Sequence, residues 1–308
     1  MTTQPPPLPF PILHPPAWKI AWLAIRPRTL SISVAPVIVG SSLAWAEGST
    51  LHWLPLLAAL CCAMLIQIGT NVHNDAVDCE KGNDRPDRPG PLRVTAAGWV
   101  KPGAMRRAAL GSFAAAFLLG IYLAFQGGWP IIAIGLASLL AGWAYSGGPR
   151  PISYTPLGEV FVLFFFGIFA VGGCVWLQGA RPGITALLAG LVCGLPAAAV
   201  LVVNNTRDRR ADLRVGRRTL AALLSRAGAT RAYAALMLLP FPLLLVLSTL
   251  NHPGALLALL ALPNAGRKVR AFERATADST LNPLLPATAR SGLGLALLLS
   301  AGLLLELR

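Results

Sequence analysis

NVHNDAVDCEKGNDRPDR, residues 71–88, is the stretch on which the reading of this chain turns. The protein has 12 acidic residues among 308, yet Asp75, Asp78, Glu80, Asp84 and Asp87 all fall here, directly after an apolar run ending in LIQIGT. A helix continued through the first half places Asn71, Asp75 and Asp78 at i, i+4 and i+7, and Asn74 with Asp78 at i and i+4, so all can point to one side. Glu80 and Asp87 read as solvated charges. Asp75 and Asp78 lie at the edge of the apolar run, where a carboxylate is costly unless it has a partner.

Outward from this stretch, composition defines the class. A content of 55% hydrophobic and 12% charged residues, with mean hydropathy +0.62, marks an integral membrane protein. The net charge of +14 does not indicate nucleic acid, because the basic residues sit between apolar segments, where they set orientation in a bilayer. Cys61, Cys62, Cys79, Cys174 and Cys193 show no CxxC spacing and read as small buried side chains. Residues 1–16 hold seven prolines and no charged side chain, the pattern of a flexible leader, which leaves 17–308 as one transmembrane domain.

Apolar segments fall near 29–46, 54–76, 104–125, 129–145, 157–177, 183–206, 229–250, 254–266 and 287–306. Most approach the ~20 residues that cross a ~30 Å hydrocarbon core, although the fourth is marginal and the eighth reaches that length only by running into RKVRAF. The expectation is an all-α polytopic bundle of about nine transmembrane helices, with eight as the alternative. With the N-terminus in the cytoplasm, 24 of the 26 Lys and Arg residues fall on the inside, leaving Arg181 and Arg308 outside. That alternation requires an odd number of spans.

A second segment answers the first. In VVNNTRDRRADLRVGRRTL, at the end of the sixth apolar segment, Asn204, Asp208 and Asp212 are spaced i, i+4, i+8 on one helical face. Two helices ending on the same side, each with an asparagine followed by two carboxylates, offer hard oxygen ligands suited to Mg2+, which is commonly held jointly by a few carboxylates and substrate phosphates. Lys81, Arg85, Arg88 and Arg93 follow the first motif, and Arg214, Arg217 and Arg218 the second. Such a basic rim suits a diphosphate, with Lys81 and Arg93 the expected contacts. The alternative is a pair of helix-end ion-pair networks with Arg207, Arg209 and Arg210. Glycines in KGNDRPDRPGPLR and DLRVGRRTL mark turns, so both basic segments are expected to be ordered loops.

These residues carry a resemblance. NVHNDAVDCEKGNDRPDRPGPLRV and NNTRDRRADLRVGRRTLA resemble the two aspartate-rich motifs of the UbiA superfamily of intramembrane prenyltransferases. RPRTLSISVAPVIVG (26–40), DRPGPLRVT and YSGGPRPISYTPLGEVFVLFFFG (145–167) resemble more narrowly its MenA-like branch, which prenylates 1,4-dihydroxy-2-naphthoate. The resemblance implies a helical bundle around a cavity open to lipid, in a bacterial inner membrane, with the site at its cytoplasmic mouth. It implies metal and diphosphate contacts at Asn71, Asn74, Asp75, Asp78, Asn204, Asp208 and Asp212, with the four aspartates catalytic. Relatives commonly carry a tyrosine with a lysine four positions on; here Tyr145 precedes Pro149, and either Arg150 replaces that lysine as the diphosphate contact beside Tyr145 or the contact is absent. Asp84 lies two positions beyond a third family aspartate, where Gly82 stands.

The implied partners are a polyprenyl diphosphate, an aromatic acceptor and the bilayer, and the implied product is a menaquinone precursor. Phe161, Phe164, Phe165, Phe166 and Phe169 can line the cavity or face lipid. The group that removes the acceptor's phenolic proton is open among Asp208, Asp212, His73 and Glu159. Transfer to 4-hydroxybenzoate is the alternative within the superfamily. A cation-coupled transporter is the alternative outside it, but such proteins hold their ions near the bilayer midplane. A CDP-alcohol phosphotransferase needs a DGxxAR sequence that is absent here.

Overall fold

The computed structural model describes residues 14–84 and 90–306, and within them every regular element is helical. Residues 1–13 of the expected leader, together with Arg85, Asp87, Arg88 and Arg308, lie outside the described residues. A short helix α1 (Ala17–Ile25) precedes α2 (Pro27–Ala46), α3 (Trp53–Glu80), α4 (Pro102–Gly127) and α5 (Trp129–Ala144). The second half contains α6 (Gly158–Leu177), α7 (Ile184–Arg214), α8 (Arg226–Thr249), α9 (Leu262–Arg274) and α10 (Leu284–Leu305).

All nine apolar segments of the sequence are helical, and seven helices among the described residues have the length and hydropathy to cross a membrane. The fourth segment, α5, has 16 residues and falls short of that length. The eighth is split: Pro253–Ala261 is a 3-10 helix that runs into the amphipathic α9. At about 2.0 Å rise per residue, nine 3-10 residues reach about 18 Å, so this segment extends further than α-helical spacing implies.

Local chemistry sets the boundaries. Arg26 takes a left-handed conformation with φ 57° and returns its N–H to the Trp22 carbonyl, closing α1 before Pro27 opens α2. Pro102 opens α4, and Gly128 at φ 65° separates α4 from α5. Pro36 and Pro196 sit inside α2 and α7, and Phe164–Ile168 forms a π-helical turn within α6.

The core lies between α2, α7, α8 and α10, where Val39, Leu43, Val203, Leu244 and Leu299 are fully buried. Tyr233 stacks on Phe272 with centroids 4.4 Å apart and shares a 2.7 Å hydrogen bond with Thr288, which joins α8, α9 and α10. Because lipid is as apolar as the side chains, tight backbone contact contributes most to helix association within the bilayer. Gly190 and Gly194 of α7, spaced i, i+4, receive the π-helical turn of α6: a Cβ on Gly194 would stand 2.7 Å from the Leu163 carbonyl oxygen. Gly120 of α4 has open space beside it. Thus Gly194→Val should destabilise the protein by about 1–3 kcal/mol in thermal unfolding in detergent, whereas Gly120→Val should change it by less than about 0.5 kcal/mol.

Candidate active site

Both acidic motifs are the last turns of long helices, and both end in the same way. Four residues after Asp78 and four after Asp212 stand Gly82 (φ 68°) and Gly216 (φ 76°), each in the left-handed conformation that glycine adopts most readily. The next residue then turns its N–H back onto the aspartate's carbonyl, Asn83 to Asp78 at 2.8 Å and Arg217 to Asp212 at 2.9 Å. The same two residues reach the carboxylates as well. Asn83 Nδ2 donates to Asp78 Oδ1 at 3.1 Å, and Arg217 donates to Asp212 Oδ1 at 3.4 Å.

Arg217 joins the halves of the molecule by also pairing with Asp78, 139 residues away in sequence. Arg93, from the loop between α3 and α4, forms ion pairs with Asp78 at 3.2 Å and Asp84 at 3.1 Å. One cavity results, lined by Asp78, Asn83, Asp84, Arg93, Asp208, Asp212 and Arg217. Burial disfavours the charge on both arginines, but Asp78 with Asp84, and Asp78 with Asp212, outweigh it and hold the Arg93 and Arg217 guanidinium groups above their ordinary values. Tyr154 backs the cavity: its ring lies under Arg217 at 4.8 Å and under Lys81 at 5.1 Å, and its hydroxyl accepts from Asn83 Nδ2 at 2.8 Å.

The other predicted residues separate into distinct environments. Asn74 Oδ1 is buried with no hydrogen-bond partner among the described residues, one turn before Asp78. Asn71 instead donates to the Ile25 carbonyl at 3.1 Å, and Asp75 accepts the Thr95 hydroxyl; neither lines the cavity. Asn204 accepts from Arg207 at 2.8 Å, and Arg207 also grips Asp208 through two hydrogen bonds of 2.8 Å. Gly90 passes so close that a Cβ there would meet the Arg207 guanidinium at 3.0 Å, which fastens the first motif's loop onto the second motif's helix. Arg209 reaches the Ala221 carbonyl at 3.1 Å, and Arg210 lies 3.9 Å from Asp278. Lys81 is exposed beside the cavity, Arg150 is exposed on the loop after α5, and Tyr145 is half-buried at the start of that loop.

The donor set suits a divalent cation and a diphosphate. Asp78, Asp208 and Asp212 present hard oxygen donors to the cavity from two helix ends, the Asn74 amide oxygen lies outside its lining one turn before Asp78, and Arg93 and Arg217 are cations of the kind that suit a diphosphate. Among the described residues, no three His, Cys, Asp or Glu side chains converge at metal-binding distance, because the arginines stand between the carboxylates. Tyr154, Asn83 and Thr95 were not singled out in the sequence. The repeated D-x3-G spacing, DCEKG and DLRVG, is the signal that marks Asn83 and Arg217.

Fold and cavity together define an all-helical membrane protein whose polar site, rich in carboxylates and arginines, lies at one end of the bundle. The chain belongs to the UbiA prenyltransferase family, whose model matches residues 33–282. It is 36% identical over 300 residues to the 1,4-dihydroxy-2-naphthoate octaprenyltransferase of Escherichia coli (strain K12), covering 93% of this chain and 96% of that one. The enzyme of the same description from Mycobacterium tuberculosis is 34% identical over 277 residues, covering 90% and 92%. In solved structures, a UbiA homolog from Archaeoglobus fulgidus bound to GPP and Mg2+ shares the fold at TM-score 0.64 and 12% identity, covering 91% of this chain and 99% of that one.

The separation of Asp75 from the cavity has a measurable consequence. In thermal unfolding, Asp78→Asn should abolish the stabilisation that Mg2+ with an unreactive allylic thiolodiphosphate gives the wild type. Asp75→Ala, which removes the acceptor of the Thr95 hydroxyl, should lower the unliganded stability by about 1–3 kcal/mol and retain the ligand-induced shift.

Proposed function

We propose that this protein transfers a polyprenyl group from an allylic polyprenyl diphosphate to 1,4-dihydroxy-2-naphthoate, releasing diphosphate and carbon dioxide and forming demethylmenaquinol, the reduced form of demethylmenaquinone. The observation that carries this reading is the single cavity in which carboxylates from both helix ends meet Arg93 and Arg217, in a chain 36% identical to an octaprenyltransferase for that acceptor. Asn74, Asp78, Asp208 and Asp212 are the residues that would hold Mg2+. Bound there, the metal would offset the charge that develops on the departing diphosphate.

The chain's own residues supply the rest. Arg93 and Arg217, fixed by their carboxylate partners, present guanidinium groups to diphosphate oxygens in a setting poor in water, where such interactions are strong. Asn83 and Tyr154 hold Arg217 in position, and Lys81, stacked on the same ring, adds a cation at the rim. Arg150 is the further diphosphate contact from the loop after α5, and Tyr145 is the contact at the start of that loop. The apolar interior excludes water from the allylic carbon and accepts the isoprenoid tail. The arginines and lysines that gather at this end of the bundle support a cytoplasmic mouth in a bacterial inner membrane.

The test is an assay in detergent with Mg2+, a polyprenyl diphosphate and, in parallel, 1,4-dihydroxy-2-naphthoate and 4-hydroxybenzoate. Prenylated product is expected from the naphthoate alone, with turnover lowered at least about 100-fold in Asp78→Asn and Asp208→Asn. Product from neither acceptor, from 4-hydroxybenzoate alone, or undiminished in both variants would contradict the proposal.

A further inference from the structure

The carboxylate of Glu159 has no part in the metal and diphosphate chemistry described above. It stands in the first turn of α6, 5% exposed, at the same end of the bundle as the acidic cavity. Its Oε1 accepts the Asn205 Nδ2 amide at 3.0 Å, while Oε2 is buried and has no hydrogen-bond partner among the described residues. A structural role alone accounts poorly for this. A half-satisfied carboxylate at membrane depth is costly, and glutamine would meet Asn205 equally well without a charge.

Its depth is informative. Asn205, Asp208 and Asp212 are all buried on α7 at i, i+3 and i+7, one stripe of that helix. At 1.5 Å rise per residue, Asn205 lies about 4.5 Å further into the bundle than Asp208. Glu159 therefore offers an open oxygen about one helical turn inward of the carboxylates that face the diphosphate. A diphosphate held at the cavity with its allylic carbon directed inward would place an acceptor ring, within bonding distance of that carbon, at the depth of Glu159.

We propose that Glu159, oriented by Asn205, accepts the proton of the acceptor hydroxyl adjacent to the carbon that is prenylated. The assignment rests on the reading of the function given above and identifies a further residue of that reaction. The carboxylate-bearing ring carbon donates its electron pair to the allylic carbon, whose carbon–oxygen bond breaks with its electrons leaving on the diphosphate. The hydroxyl proton passes to Glu159 Oε2, leaving a ketone beside the quaternary carbon. Departure of carbon dioxide returns the electrons of the carbon–carbon bond to the ring as an enolate, whose oxygen takes the proton back. No net proton is gained or lost, and Glu159 ends as the carboxylate it began as.

Glu159→Gln keeps the volume and the Asn205 hydrogen bond but cannot take up the proton. Its kcat is expected to fall about 100- to 1000-fold. KM for both substrates and the melting shift given by Mg2+ with the unreactive thiolodiphosphate should stay within threefold of the wild type. A ring-fluorinated dihydroxynaphthoate, whose hydroxyl is more acidic, should narrow the gap at least tenfold. Glu159→Asp, which keeps the charge with a shorter reach, should be folded and intermediate in kcat. A Glu159→Gln kcat within threefold of wild type, a loss that the fluorinated acceptor leaves unchanged, or equal loss of folding in both variants would overturn the assignment. Those outcomes leave the wild-type activity standing, whereas a wild type that makes no product from the naphthoate overturns the reading of the function, and this assignment with it.

Discussion

Four carboxylates brought to one end of an apolar bundle repel one another and lose much of their hydration, and Arg93, Arg207 and Arg217 lie among them to offset that cost. Asp78 is the pivot. It is 1% exposed and meets two of these guanidinium groups, one from the loop after α3 and one from the turn after α7. Removing either member of such a buried network leaves an uncompensated charge, a loss of about 3–5 kcal/mol. The same geometry suits the proposed ligands, since a metal would take over the carboxylates as a diphosphate takes over the arginines.

The two helix ends are built alike although their surroundings differ. In each, an aspartate is followed four positions later by a left-handed glycine, and the next residue folds back to hold both the aspartate's carbonyl and its carboxylate. Asn83 performs this locally, whereas Arg217 has the length to reach the opposite motif as well. Gly90 and Arg207 supply a second crossing, in which the first motif's loop lies flat on a guanidinium of the second motif's helix. These contacts make one site of two segments that are more than a hundred residues apart.

Much of this was legible in the sequence. The nine apolar segments are all helical, and the two asparagine–aspartate motifs do end helices whose Asp78, Asp208 and Asp212 share a cavity. The resolution of a helical face was the limit. Residues three apart are separated by about 60° around the axis and residues four apart by about 40°, so Asn71 with Asp75 and Asn74 with Asp78 form two adjacent stripes. The first stripe serves α1 and Thr95; in the second, Asp78 lines the cavity, with the open Asn74 oxygen one turn before it. The pairing of Arg217 with Asp78 and the ring of Tyr154 beneath it depend on tertiary contacts that no local pattern encodes. The 3-10 stretch of the eighth segment was equally hidden, because hydropathy carries no record of rise per residue.

The claim that both motifs form one site is tested most directly by a double-mutant cycle on Asp78 and Asp208. The quantity to measure is the dissociation constant of an unreactive allylic thiolodiphosphate in the presence of Mg2+, for the wild type, Asp78→Asn, Asp208→Asn and the double variant. A shared site requires strong coupling: the double variant should bind little worse than the weaker single variant, with an interaction energy above about 1 kcal/mol. Losses that simply multiply, with no coupling, would mean that the two helix ends act independently and would contradict a single metal and diphosphate site.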